Sequence, residues 1–289
     1  QLAVVIGFFV VFLATYFIGG GDTQGMSAQM IEQIHEHNVA EGWRVMFWSE
    51  LIPAIAFLLL LFTVPHSPRW LILKGRTDEA KAVLARITSN EQQAATELAD
   101  IEVSLLNKPT TNMAVLFGKG IGFALFLGVM LSIFQQVTGI NAILYYGAEI
   151  FSNALGYGPE DALKQQLWLG AVNLIFTFVA IYMVDSWGRK PLFIVGSIGM
   201  FAGLSVLGLT IYTQQMGVIS LIAVLVFIGS FAMSMGPVVW VMLSEMFPNN
   251  VRSVAMSIAV AAQWLFNALV ANSFPVINNS VLNQDSFNG

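Results

Sequence analysis

The sequence has 289 residues, of which 56% are apolar and only 10% charged, with a net charge of −5 and no cysteine. A soluble domain carries roughly a quarter charged residues, so this composition, with a mean hydropathy of +0.73, excludes an ordinary soluble enzyme. The missing cysteines exclude disulfides and thiolate metal sites, and the few basic residues form no nucleic-acid patch.

Apolar runs long enough to cross about 30 Å of hydrocarbon, which takes about 20 helical residues, fall at 2–19, 44–64, 121–150, 167–184, 192–212, 219–246 and 254–273. At that depth each backbone group must be satisfied within its own segment, so the runs read as helices and the chain as an all-α polytopic membrane protein. The first run begins at once after Gln1, with no cleavable signal pattern before it, and reads as part of a longer protein. The stretch 20–43 reads as an outer loop, rich in glycine and then polar. Its His35-Glu36-His37 could bind a metal or belong to a solvated loop. In the second run Glu50, beside Trp48, could titrate during proton coupling or sit at the outer interface.

Residues 65–120 read as a small helical domain on the cytoplasmic side. Thr77 is a candidate N-cap before Asp78 and Glu79, and Ala80, Val83, Leu84 and Ile87 follow at helical spacing. A second amphipathic helix is expected over 91–106, after Asn90, with Leu98, Ile101, Leu105 and Leu106 near one face.

The third run holds Gln135, Gln136, Asn141, Tyr145 and Tyr146, the fourth Asn173, the sixth Trp240, and the seventh Gln263, Trp264 and Asn267. A polar side chain buried unpaired costs about 1–3 kcal/mol, so each needs a reason to be there. An amide offers an acceptor and two donors to adjacent hydroxyls, and the face of Trp suits the C–H face of a pyranose. The set therefore fits a neutral, hydroxyl-rich ring; the alternative is that the amides join neighbouring helices. Gln135, Gln136, Asn141 and Tyr145 share no narrow face of a straight helix, so convergence requires a break near Gly139. Gly236-Pro237 predicts a similar interruption in the sixth run.

Acid and base stand at matching ends of neighbouring runs: Asp185 and Arg189 around a tight turn, Glu245 at the end of the sixth, Arg252 at the start of the seventh. Such pairs can close in one conformation and open in another, or the basic residues can serve as topogenic anchors. With the first helix running outward, Arg69, Lys74, Arg76, Lys81, Arg86, Lys108, Lys119, Arg189, Lys190 and Arg252 fall inside, leaving Arg44 and Lys164 outside. The positive-inside rule thus places the chain start in the cytoplasm and its end outside.

With these motifs the sequence resembles the sugar porter family of the major facilitator superfamily. The resemblance is carried by Gln-Gln-x-x-Gly-Ile-Asn-x-x-x-Tyr-Tyr at 135–146, Asp-x-x-Gly-Arg-Lys at 185–190, Gly-Pro-x-x-Trp at 236–240, Ser-Glu-x-Phe-Pro-x-x-x-Arg at 244–252, Gln-Trp at 263–264 and Pro-x-Ser-Pro-Arg-Trp at 65–70. It implies helices five to eleven of a twelve-helix fold: 1–64 as the last two helices of the N-terminal half, 65–120 as a cytoplasmic linker domain, and 121–289 as five helices of the C-terminal half. It implies monosaccharide transport by alternating access, for a pentose or hexose of the D-xylose kind, with a uniporter or a non-transporting sugar sensor as alternatives. By the same resemblance Gln135, Gln136, Asn141, Tyr145, Asn173, Gly236, Trp240, Gln263 and Trp264 contact sugar, and Arg69, Asp185, Arg189, Glu245 and Arg252 form a cytoplasmic charge network. Glu50 lies near a carboxylate implicated in coupling in some members. No cofactor, metal or nucleic acid is expected, only a proton gradient, a sugar and the lipid bilayer of a cell membrane, around a protein monomeric at full length.

Two positions depart from the family pattern. Phe8 follows Gly7 where a sugar-contacting glutamine is usual, which removes a donor and narrows the pocket. His66 replaces the glutamate of the Pro-Glu-Ser-Pro-Arg motif, and once protonated it could pair with a carboxylate as a pH-sensitive gate.

Overall fold

The computed structural model describes residues 2–21, 25–88, 90–106, 113–118, 120–151, 159–213, 215 and 217–278. Every regular element among them is helical: α1 (Leu2–Ile18), α2 (Ala28–His37), a π-helical turn (Asn38–Gly42), α3 (Trp43–Ser49), α4 (Leu51–Leu61), α5 (Pro68–Leu73), α6 (Thr77–Ile87), α7 (Glu91–Leu106) and α8 (Met113–Leu116). Then follow α9 (Ile121–Val137), α10 (Ile140–Glu149), α11 (Pro159–Ser186), α12 (Arg189–Tyr212), α13 (Val218–Met233), α14 (Met235–Met246) and α15 (Arg252–Asn278). Six stretches among the described residues are long and apolar enough to span a membrane, namely Ala28–Leu61, Ile121–Glu149, Leu163–Ser186, Arg189–Tyr212, Val218–Met246 and Arg252–Ile277; α1 is a shorter apolar helix. Lys108, Lys119 and the chain's last residues lie outside the described set.

The expected outer loop at 20–43 is instead helical from Ala28 onward. Ser27 caps this helix, its Oγ accepting from the Met30 N–H at 3.4 Å. No proline or glycine interrupts 28–41, and the π turn absorbs the register change into α3. Asn38 ties this segment to α1 by donating from Nδ2 to the Gly19 carbonyl at 2.8 Å. His35 and His37 therefore stand on helix α2.

Ser67 precedes α5, where Pro68 occupies the first turn. Helix α6 starts one residue earlier than expected, with Arg76 as the flanking residue and Thr77 inside the helix. The reason is a fork: Arg76 Nε and Nη2 each donate to Glu79 at 2.7 Å across the first turn. That fork holds the Glu79 carboxyl below its usual range. Its contribution is present above the ordinary glutamate pKa and fades as pH falls through the lowered one. Helices α5, α6 and α7 bury Leu71, Ala80, Leu84 and Leu98 in a small core of their own. His66 stacks on Trp70 with ring centroids 4.5 Å apart.

Two of the spans after residue 120 are broken among the described residues. Helix α9 ends at Thr138, and Gly139 takes a left-handed conformation (φ 84°, ψ 9°) before α10 begins. Only glycine adopts that geometry without strain, so the break sits where the sequence predicts it. In the sixth run the break falls at Ser234 (φ −125°, ψ −88°), two residues before Gly236-Pro237. Pro237 instead occupies the first turn of α14, where a missing N–H leaves no intrahelical acceptor unmet.

Helices α12 and α13 pack closely, through a row of glycines on α12. Gly196 faces Ser234 and Gly199 faces Ser230, while a Cβ on Gly203 would lie 2.8 Å from the Ala223 carbonyl oxygen and 2.9 Å from the Phe227 nitrogen. Any side chain there would force the backbones apart. Around this contact Met200, Leu207, Val224, Phe227 and Ile228 join Leu169, Ile143, Leu144 and Phe12 in the main core. A second core, Leu125, Val239, Leu243, Phe247, Ala255 and Ala259, joins α9, α14 and α15. Helix α4, by contrast, buries no residue, and Ile52 and Phe62 are 74% and 81% exposed. Apolar side chains facing outward are the pattern of a surface built for hydrocarbon.

Candidate binding site between the broken helices

The two breaks put polar groups into the middle of the bundle. Gln135 and Gln136 stand in the last turn of α9, and Thr138 closes that turn by donating from Oγ1 to the Gln135 carbonyl at 2.7 Å. The left-handed Gly139 then turns the chain so that Asn141, early in α10, donates to Gln136 Oε1 at 2.5 Å. Two amides five residues apart meet only because the helix is broken between them.

Gln135 is 2% exposed and connects three elements. Its Nε2 donates to the Met235 carbonyl at 2.7 Å and the Gly236 carbonyl at 3.3 Å, in the first turn of α14. Its Oε1 accepts from Gln263 Nε2 of α15 at 2.6 Å. Gln263 is itself buried, and its Oε1 has no hydrogen-bond partner among the described residues. Gly236 lies buried beside the Gln135 amide, without a side chain to cover it.

Toward the other end of α10, Tyr145 is partly exposed and its hydroxyl accepts from Asn267 Nδ2 at 3.4 Å. Asn173 is buried on α11, which packs against both α10 and α14; its carbonyl accepts from Thr177 Oγ1 at 2.7 Å. Trp240 is half-buried on α14, and Trp264 on α15 is 62% exposed. The structure thus joins Gln135 with Gly236 and Gln263, and Gln136 with Asn141, through direct bonds. Neither Trp240 nor Trp264 makes a ring contact among the described residues. The joined groups are amides, a phenol and backbone carbonyls, with no ionised side chain among them. The sequence marks Asn267 as an amide inside an apolar run but not its pairing with Tyr145; the four-residue spacing from Gln263 puts both amides on one face of α15.

The charged residues gather at one end of α11, α12 and α14. Arg189 forks onto Glu245, with Nη2–Oε1 at 2.6 Å and Nε–Oε2 at 3.2 Å. Its Nη1 reaches Asp185 Oδ1 at 3.4 Å and the Val184 carbonyl at 3.1 Å. The planar guanidinium is suited to this, since one side chain can hold a carboxylate in a fork and still cap a helix end. Arg252 does not enter this cluster; its Nε donates to the Phe247 carbonyl at 3.1 Å, closing the loop between α14 and α15. Arg69 is exposed on α5 and makes no ion pair among the described residues. Glu50 is exposed at the junction of α3 and α4, and Phe8 packs on the main core with its ring 6.3 Å from that of Phe12.

Similarity to known proteins agrees with this architecture. Residues 1–287 match the family described as Sugar (and other) transporter. The D-xylose-proton symporter of Escherichia coli (strain K12) is 44% identical over 282 residues, covering 97% of this chain and 54% of that protein. The glucose facilitated diffusion protein of Zymomonas mobilis is 45% identical over 251 residues, 86% of this chain and 52% of its own length. A solved structure of the major facilitator superfamily proton:xylose symporter XylE, bound to 6-bromo-6-deoxy-D-glucose, superposes with a TM-score of 0.78 at 42% identity, over 99% of this chain and 57% of that one. The chain therefore spans about half the length of the relatives it matches. Its helices form part of the major facilitator superfamily fold, and the chain belongs to the sugar transporter family.

Proposed function

We propose that this chain is part of a secondary transporter that moves a monosaccharide, a pentose or hexose of the D-xylose kind, across a cell membrane by alternating access, driven by a proton gradient. The observation that carries the reading is the buried amide relay from Gln263 through Gln135 to the start of α14, which ends in a buried acceptor, Gln263 Oε1, with no partner among the described residues. A sugar hydroxyl is a donor that such an acceptor can take. Gln135, Gln136, Asn141, Tyr145, Asn173 and Gln263 supply hydrogen bonds, Trp240 and Trp264 supply ring faces, and Gly236 lets the ring approach the backbone. The relatives' names, symporters and a facilitator for neutral sugars, support this choice of substrate class.

In this reading the cluster of Asp185, Arg189 and Glu245 faces the cytoplasm, joined in other conformations by Arg69 and Arg252, and the breaks at Gly139 and Ser234 let short half-helices move without unravelling whole spans. Residues 65–120 form a cytoplasmic linker domain, the chain starts inside and ends outside, and Glu50 contributes to proton coupling. The Zymomonas relative favours a second reading, a facilitative uniporter.

Uptake of labelled D-xylose and D-glucose into vesicles holding the full-length protein separates these readings. Symport predicts accumulation above equilibrium under an inward proton gradient, collapsing when a protonophore is added. Uniport predicts simple equilibration, unchanged by the protonophore. Binding without any uptake would contradict transport and leave a sensor.

A further inference from the structure

Helix α15 continues through Pro275, which stands inside it. Proline has no N–H, so the carbonyl four residues earlier, that of Ala271, loses its intrahelical donor. The Tyr146 hydroxyl of α10 donates to this carbonyl at 3.0 Å. Beside it the Tyr146 ring stacks on Phe274, with centroids 5.0 Å apart and planes inclined by 24°. One turn away Asn267 reaches the Tyr145 hydroxyl. A freed carbonyl inside a membrane needs a partner, and the half-helix α10 brings one from 125 residues away.

We propose that Pro275 and Tyr146 form an anchor that fixes α10 on α15, and that Tyr146 is a positioning residue for the binding site. Helix α10 is ten residues long and is cut from α9 at Gly139, so its own backbone does not set its orientation relative to α9. Packing of Ile143 and Leu144 in the main core and the anchor on α15 do so together, and the anchor helps to hold Asn141 at Gln136 and Tyr145 at Asn267. The proline creates the acceptor that makes α15 the preferred seat for Tyr146.

The role in binding rests on the monosaccharide reading above, whereas the anchor itself does not, and the experiment keeps the two apart. The sequence has no cysteine, so a single cysteine at Ala148, half-buried on α10 against the main core, reports whether α10 stays seated. In reconstituted full-length protein carrying Ala148→Cys, Tyr146→Phe should raise the maleimide labelling rate about three- to tenfold, the factor expected from one net hydrogen bond. Pro275→Ala restores the helical N–H and should not impair folding; in that background Tyr146→Phe should add less than about twofold. D-Xylose affinity should fall by a similar three- to tenfold in Tyr146→Phe and be coupled to Pro275 in the same way. An equal increase in labelling in both backgrounds, or no increase in either, overturns the anchor. If the parent binds no sugar while the labelling pattern appears, the anchor stands and the substrate reading fails.

Discussion

Gln135→Ala is expected to weaken monosaccharide binding by about two orders of magnitude. The side chain both donates to the Met235 carbonyl at the start of α14 and accepts from Gln263 at 2.6 Å. Alanine removes its own contacts and strands the buried Gln263 Nε2, so that the amide whose Oε1 is proposed to take a sugar hydroxyl is no longer held in place. Each stranded buried polar group costs about 1–3 kcal/mol, and about 1.4 kcal/mol corresponds to tenfold in affinity. Part of the loss should show as a lower melting temperature of the sugar-free protein, because α9, α14 and α15 are tied together at this residue. Radioligand binding to purified protein checks the first effect and thermal unfolding the second. A variant that binds within threefold of the parent would show that Gln135 holds helices together and nothing more.

The second large effect is expected at the charge cluster and has a different signature. Arg189 holds Glu245 of α14 in a fork while reaching Asp185 at the end of α11. These side chains are open to solvent, Asp185 most of all at 83% exposure, so each pair alone is strongly screened. Their importance lies in connecting three helix ends in this conformation, so that losing them changes which conformation is populated. Arg189→Ala should lower the transport rate by about tenfold or more, within the usual range of conformational coupling. Equilibrium sugar affinity should change by less than about threefold, because none of the amides proposed to bind sugar is bonded to this cluster among the described residues. The exchange Arg189→Glu with Glu245→Arg should recover part of the rate. Unimpaired transport by Arg189→Ala would reduce the cluster to a topogenic anchor.

The parts of this molecule legible in its sequence are those governed by one residue or one local pattern. The apolar runs announce the spans, and glycine inside a run of otherwise mismatched polar residues announces the break at 139, where the backbone takes φ 84°. The break in the sixth run was less legible. Gly236-Pro237 marks it to within two residues, but Ser234 bears the unusual backbone, since proline is tolerated in the first turn of the helix that follows. The stretch 20–43 reads as a loop in the sequence because it is rich in glycine at first and then polar. Its helix depends instead on a serine cap and on Asn38 reaching the end of α1.

Within the site, the sequence identified the amides but not their pairing. That Asn141 turns back to Gln136 follows from the left-handed glycine between them. That Gln263 meets Gln135 depends on how α15 packs on α9, 128 residues away. The role of Pro275 depends on Tyr146 reaching the carbonyl it frees, a contact between residues 125 apart that no local pattern announces. Of the five charged residues grouped in the sequence, three are joined here, while Arg252 turns to a backbone carbonyl and Arg69 stands apart on α5. Long, flexible side chains at helix ends have several partners within reach, and the one chosen depends on the conformation.

In the proposed reading this bundle holds a neutral polyol through amides and tryptophan faces. Titration calorimetry of the full-length protein with D-xylose, D-glucose and the acid D-xylonate tests it most directly. Saturable binding of at least one of the two neutral sugars is expected, with at least about tenfold weaker binding of the carboxylate, since no cation among the described residues is bonded to the amides to offset its desolvation. Binding of xylonate as tight as either sugar, or no binding of either sugar, would contradict it.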